Sequence, residues 1–513
     1  MSRTKNTIIN AFASMGAKVI TIFINFITRT VFIYTLGVEY LGVSGVFSSI
    51  LTMLSLAELG FAETITYKLY KPIANNDKTK VSELMNFYRK IYNIIGTIVL
   101  VIGIILIPFL DLLIDTNINI KENIVVIYLL YLINTSMSYF FVYKATLLQA
   151  SQKKYIVSTV QTITTIIKAI INCIILVIFH NFILYLVIEI FSTVLYNIII
   201  SMITSRKYGQ LMNNKEAHLS KREKKNIFRD VKAMFLYKIS GVVLNGTDNI
   251  IISKMLGNTS VGLYSNYTMI INQVYSFILQ IYSASTASIG NMAAVEKKEK
   301  QEKVFNNTIF LSFCIFCFCS TVLWVLINPF IKIWLGEQFV LDNTIVCCIV
   351  VNFYIMGMAT PITNFRNANG LFVQGKYRPL VMTIINIISS IILAKFFGIA
   401  GVILGTIISR ITTQFWYDPW ILYKKIFKKS SKSFFYTYAK YVLITVFSCL
   451  VAKGLSEFIK INNSIMEFII IAFIAIMIPI ILIYIIFKKT DEFIFIMSIL
   501  KKGKERLLKR NGK

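Results

Sequence analysis

Fourteen separate apolar runs, most of them long enough to cross the hydrocarbon core of a bilayer, constrain this chain more than any other feature. Bounded by charged breaks, they lie near 8–36, 41–67, 90–110, 124–147, 156–179, 182–204, 234–256, 262–289, 306–328, 343–365, 379–397, 399–423, 434–453 and 464–487. About twenty residues of helix span a core about 30 Å thick. Hydrocarbon offers no partner to a backbone N–H or C=O, so each crossing must satisfy its own backbone as a helix. The chain is therefore predicted to be an all-α integral membrane protein with about fourteen transmembrane helices. The composition agrees, since 15% of residues are charged and 56% hydrophobic, whereas soluble domains carry about 25% charge.

The formal net charge is +29, a value that in a soluble protein would suggest nucleic acid. Its distribution points elsewhere. With a cytoplasmic N-terminus, the inner segments hold 40 Lys and Arg, the outer ones five (Lys121, Lys332, Lys395, Lys453 and Lys460), and eight lie within or at the edges of helices. That asymmetry follows the positive-inside rule. It implies an even number of spans, both termini in the cytoplasm, the bilayer as partner and no nucleic acid. The opening MSRTKNT and its apolar run of about 29 residues are too long for a signal peptide and lack a small-residue cleavage site, so the run is expected to stay as the first span. All seven cysteines fall inside apolar runs. Cys314, Cys317 and Cys319 have no histidine or second pair at zinc spacing, so neither a metal nor a cofactor is expected.

The sequence repeats internally. A shift of 220 lays Leu36-Gly37 and Gly42 on Leu256-Gly257 and Gly262, Lys18 on Lys238 and Asn25 on Asn245; a shift of 222 lays Gln152-Lys153-Lys154-Tyr155 on Gln374-Gly375-Lys376-Tyr377. Six helices are thus duplicated in order. Because six is even, the copies are parallel repeats about an axis along the membrane normal, an arrangement tied to alternating access. The expected organisation is an N-terminal six-helix bundle over 1–204, a basic cytoplasmic linker over 205–233, a second six-helix bundle over 234–423, and two extra helices with a basic cytoplasmic tail over 424–513.

Four segments stand out: Thr247-Asp248-Asn249-Ile250-Ile251-Ile252-Ser253, Leu256-Gly257, Val261-Gly262-Leu263-Tyr264-Ser265-Asn266-Tyr267, and LGVEYLGVSGVFSSILTMLSLAELGFAETITYKLY at 36–70. In these the chain resembles the bacterial polysaccharide transporters, the lipid-linked oligosaccharide flippases of the multidrug/oligosaccharidyl-lipid/polysaccharide (MOP) exporter superfamily. The resemblance implies a V-shaped pair of bundles that moves a polyprenyl-pyrophosphate-linked glycan from the inner to the outer leaflet of the bacterial cell membrane, with glycosyltransferases and a polysaccharide polymerase as partners.

Polar stripes mark where such a cavity should lie. Ser14, Lys18, Thr21, Asn25 and Thr28 share one face of the first helix, with Arg29 beside it. The seventh carries Lys238, Gly241, Asn245 and Asp248; the fifth Gln161, Thr165, Lys168 and Asn172; the twelfth Thr406, Arg410, Thr413 and Tyr417. A charge at mid-bilayer costs at least about 2.5–3.5 kcal/mol, so these faces should line a wet cavity or pair internally. At 1.5 Å per residue, Lys18, Lys168 and Arg410 lie about 15–18 Å from the starts of their helices. The cations Lys18, Arg29, Lys168, Lys238 and Arg410 favour an anionic ligand, with Asn25, Asn245, Gln161 and Thr413 as polar cavity residues. Glu58, Glu63, Glu189, Asp248 and Asp418 more simply neutralise nearby cations; Asp248 and Glu58 are the candidates for ion coupling. Gly401-x-x-x-Gly405 reads as close helix packing.

Gly370-Leu371-Phe372-Val373-Gln374-Gly375-Lys376-Tyr377 nearly spells a Walker A loop, but Tyr377 stands where Ser or Thr must bind magnesium and no strand precedes it, so no ATPase is expected. With two histidines and short outer loops, an enzyme such as a membrane glycosyltransferase or polymerase is the weakest alternative. A lipid II flippase and a cation-coupled drug exporter of the same superfamily are closer ones, the latter disfavoured by the cationic stripes.

Overall fold

The computed structural model describes residues 3–58, 60–115, 120–140, 142–212, 217–295, 298–369, 371, 374–375, 377–459, 461, 463–498 and 501. Among the described residues every regular element is helical: α1 (Arg3–Leu36), α2 (Val38–Leu54), α3 (Phe61–Ala74), α4 (Lys78–Ile105), the single turn α5 (Leu110–Leu113), α6 (Ile124–Tyr139), α7 (Val142–Ala150), α8 (Lys154–Phe179), α9 (Phe182–Met212), α10 (Lys221–Leu256), α11 (Asn258–Val295), α12 (Lys298–Leu335), α13 (Asn343–Ala368), α14 (Arg378–Arg410), α15 (Trp416–Leu422), α16 (Lys432–Glu457) and α17 (Ser464–Phe487). Among the described residues each expected run is helical over most of its length. By length and apolarity alone nine helices among the described residues suffice to cross a membrane, or ten if α6 and α7 form one bent span. Exposed apolar side chains such as Phe23 at 66% and Leu443 at 70% are placed for lipid contact, and the protein is a multi-pass membrane protein.

Two expected single runs are broken, and runs eleven and twelve are joined in one element. Gly60 takes φ +91°, a conformation a residue with a Cβ avoids, and separates a 3-10 turn at Ser55–Glu58 from α3. The fourth run is split between α6 and α7. The element Arg378–Arg410 contains the reversal expected between runs eleven and twelve, at Gly398 (φ +57°, ψ −133°). There Asn386 Nδ2 donates to Thr406 Oγ1 at 2.8 Å and Ser390 Oγ to the Val402 carbonyl at 3.0 Å, pairings that rise on one arm as they fall on the other. A Cβ on Gly401 would lie 2.1 Å from the Leu393 carbonyl oxygen, and one on Gly405 2.3 Å from Ser390 Oγ. The G-x-x-x-G spacing thus serves close packing, as read from the sequence. Beyond Arg410, π turns flank α15 at Ile411–Phe415 and Tyr423–Phe427. Pro419 has no N–H to return to the Phe415 carbonyl, which loosens that turn.

By packing, the chain forms two compact units, Met1–Ser265 and Asn266–Lys513, so the division falls inside α11 and not in the basic linker. The reason lies in the repeat motif. Within the first unit a Cβ on Gly42 would meet the Asn258 carbonyl oxygen at 1.8 Å, and one on Gly262 the Val38 carbonyl oxygen at 2.3 Å. The two glycines of the duplicated L-G-x-x-x-x-G motif therefore let the starts of α2 and α11 cross reciprocally, backbone against backbone. Gly246 of α10 similarly faces Met53, and Asn249 Nδ2 donates to Ser49 Oγ at 3.0 Å. The linker is largely an extension of its neighbours: α9 runs to Met212, and α10 starts from a reciprocal cap in which Ser220 and Glu223 bond one another's backbone.

Candidate functional site

On α1 the polar stripe lies opposite the exposed Phe23 and Ile27. Thr21 and Thr28 donate to the carbonyls of Ala17 and Ile24 at 2.7 and 2.8 Å, which spends their hydroxyl protons inside the helix. Lys18 and Asn25 are half-buried and have no hydrogen bond or ion pair among the described residues. Arg29 Nη2 donates to Ser265 Oγ at 2.7 Å, and its charge acts on the rings of Tyr131 and Tyr185.

The α8 stripe is organised differently. Lys168 Nζ is 2.9 Å from Glu189 Oε2 of α9, and Asn172 Nδ2 donates to Glu189 Oε1 at 3.2 Å. Glu189 therefore takes the neutralising role expected of the acids, and Lys168 is a paired cation. Gln161 is exposed, and its carbonyl accepts from Thr165 at 2.7 Å. On α10 the side chains of Lys238 and Asn245 lie outside the described residues, as do those of Ser14 and Glu63. Asp248 is buried and acts on Tyr264; Glu58, at the broken end of α2, acts on Tyr92 and Tyr139.

In the second unit Thr406 accepts from Asn386, as above. The repeat is legible here too: adding 218 to Lys168 gives Asn386, and adding 217 to Glu189 gives Thr406. An ion pair in one copy is thus a neutral hydrogen bond in the other. Arg410 Nη2 is 3.9 Å from Met356 Sδ, and its charge acts on Tyr275. Thr413 is buried and donates to the Ser409 carbonyl at 2.5 Å.

Sequence reasoning assigned Arg366 and Arg378 only to an inner loop. In the structure they close on Asp418: Arg366 Nη1 to Oδ1 at 2.8 Å and Arg378 Nη1 to Oδ2 at 2.7 Å, with Arg366 and Asp418 almost wholly buried. Arg366 also donates to the carbonyls of Leu371 and Gln374 at 3.0 and 2.7 Å. Two carbonyls of the segment that mimics a phosphate-binding loop thus accept from an arginine, and Gly375 (φ +74°) sits under the Tyr417 ring, 2.5 Å from the place of a Cβ. The only sequence signal was an acid next to Pro419 with arginines at both ends of the preceding loop.

A further cavity of about 710 Å³ opens between α12, α13, the turn at Ile411–Phe415 and α16, lined mainly by apolar groups including Trp324, Val350, Phe415, Tyr438 and Leu450. The first of the two appended helices thus borders an apolar space.

The family model described as "Polysaccharide biosynthesis protein" matches residues 8–287, and the MatE model matches residues 234–399. Among curated proteins, none matches significantly. Among solved structures, an inward-facing multidrug resistance MATE family transporter of the MOP superfamily aligns at 16% identity over 79% of this chain and 97% of its own, with TM-score 0.59. A point mutant of the Vibrio cholerae MATE transporter VcmN aligns at 16% over 83% and 97%, TM-score 0.59. The lipid II flippase MurJ, inward closed, aligns at 16% over 94% and 99%, TM-score 0.63. The fold is that of MOP transporters. With more than half of its length matched, the chain belongs to the polysaccharide biosynthesis protein family.

Proposed function

We propose that this protein is a flippase that carries a polyprenyl-pyrophosphate-linked oligosaccharide from the inner to the outer leaflet of the bacterial cytoplasmic membrane by alternating access, without covalent chemistry and with both termini cytoplasmic. The observation that carries this reading is Lys18: half-buried about 22 Å from the start of α1, it has no counter-charge among the described residues. An ammonium at that depth is expensive to keep without a partner, and an anionic headgroup supplies one. Arg29 and Arg410 add guanidinium groups, which grip phosphate through two parallel bonds. Lys168 contributes less, because Glu189 already offsets it. The family match supports the pathway, and the apolar space beside α16 suits a polyprenyl chain. Polymerase and glycosyltransferases are the partners this role requires.

A lipid II flippase is the second reading, favoured by a fold match that spans nearly the whole of both chains. Purified protein in liposomes, loaded with a fluorescent prenyl-pyrophosphate oligosaccharide or with lipid II, separates the two: quenching of outer-leaflet label should become complete only for the transported lipid. Equal, protein-independent quenching of both lipids would refute flipping.

A further inference from the structure

The buried Asp418 clasp has a counterpart in the first repeat that lacks its acid. A shift of 222 lays Arg366 on Lys144 of α7, and a shift of 217, the one that relates Thr406 to Glu189, lays Asp418 on Ser201 of α9. The structure shows the same crossing: Lys144 Nζ donates to Ser201 Oγ and, at 3.4 Å, to Ser205 Oγ. Arg89 of α4 is exposed, and its charge acts on both Lys144 and Tyr143. Among the described residues neither Lys144 nor Arg89 has a carboxylate partner. One repeat therefore closes its two cations on an internal carboxylate, whereas the other sets Lys144 on two hydroxyls, within reach of the charge of Arg89 and with no carboxylate among the described residues.

We infer that this cluster is an anion site for the phosphate group of a lipid, occupied from outside in the way Asp418 occupies its own site from inside. Each serine hydroxyl, having accepted from Lys144, keeps its own proton to donate. Two such donors one helical turn apart, a point charge and a planar fork match a tetrahedral phosphate better than a single-atom anion. Lys144 lies about 9 Å from the end of α7, and Arg89 about 17 Å from the start of α4. Those depths hold a headgroup near the bilayer boundary while its apolar chain stays in lipid. Both an anionic phospholipid and a prenyl pyrophosphate offer this chemistry, and the site does not depend on which lipid is translocated.

The test is the thermal unfolding midpoint of the purified full-length protein, titrated with farnesyl pyrophosphate, with farnesol, and in bilayer discs of phosphatidylglycerol or phosphatidylcholine. Farnesyl pyrophosphate or phosphatidylglycerol should raise the midpoint, whereas farnesol and zwitterionic phosphatidylcholine, whose choline offsets its phosphate, should not; which of the two acts identifies the source. Lys144→Gln and Arg89→Gln should each raise the half-saturating concentration about tenfold or more, the loss of one charge-assisted bond. Ser201→Asp, which supplies the missing carboxylate, should abolish the response without lowering the midpoint of the unliganded protein. No rise with either phosphate lipid, or an unchanged response in both glutamine variants, overturns the site.

Discussion

Replacing Asp418 with Asn tests whether the clasp holds the inner end of the second unit together. The two contacts of 2.8 and 2.7 Å are each worth about 6 kcal/mol of Coulomb attraction at an effective dielectric of about 20. Desolvating three charges removes several kcal/mol per ion, so the intact cluster contributes little net stability. Its asymmetry is what matters. A neutral amide in place of the carboxylate would take this counter-charge from the buried Arg366 guanidinium, and breaking such a buried network costs about 3–5 kcal/mol. For a unit of this size that corresponds to about 6–20 °C in unfolding midpoint. Arg378→Gln should be milder, because Arg366 still neutralises Asp418 and still holds the carbonyls of Leu371 and Gln374. Midpoints in detergent, read by intrinsic fluorescence, together with membrane abundance, provide the assay. If Asp418→Asn stays within about 1 kcal/mol of wild type, or if Arg378→Gln is the more damaging change, the argument from an uncompensated buried charge fails.

Surface glycan in a flippase-null strain, normalised to membrane abundance, should fall further for Lys18→Ala than for Lys168→Ala, because Glu189 already neutralises Lys168; the reverse order would move the anion site to α8. Gly398→Ala should lower the unfolding midpoint through about 1–3 kcal/mol of backbone strain, and an unchanged midpoint would mean the reversal at Gly398 does not need glycine. The Glu223 carboxyl is held below its usual range chiefly by its bond from Lys80, helped by Ser220. A lowered folded value means the stabilisation is present above the unfolded pKa and lost as pH falls through the folded one. Linker protection from protease should therefore drop at acid pH in wild type, by at most about 1 kcal/mol at this exposed pair, and Glu223→Gln should lose that dependence; a variant as acid-sensitive as wild type would count against the pairing.

The sequence by itself determined the helical class, the places of the fourteen runs and the duplicated order, because hydrocarbon admits only internally bonded backbone and leaves a long apolar signature for every crossing. It also marked Lys18 and Lys168 as cations within apolar helices and Asp418 as an acid needing a partner. What it left open was partner choice. Lys168 and Glu189 are 21 residues apart and Arg366 and Asp418 are 52 apart, and helical periodicity says nothing across such separations. Likewise the L-G-x-x-x-x-G repeat announced a shared turn, but only the packing of α2 on α11 shows that Gly42 faces the backbone of Asn258 and Gly262 that of Val38. The same limit hid the difference between the two copies: Lys144 and Arg366 sit at equivalent positions, and the folded neighbours alone decide that one cation meets hydroxyls while the other meets a carboxylate. Local sequence sets which residues form a helix; which charge is neutralised depends on side chains that come within about 3 Å only after the helices have packed.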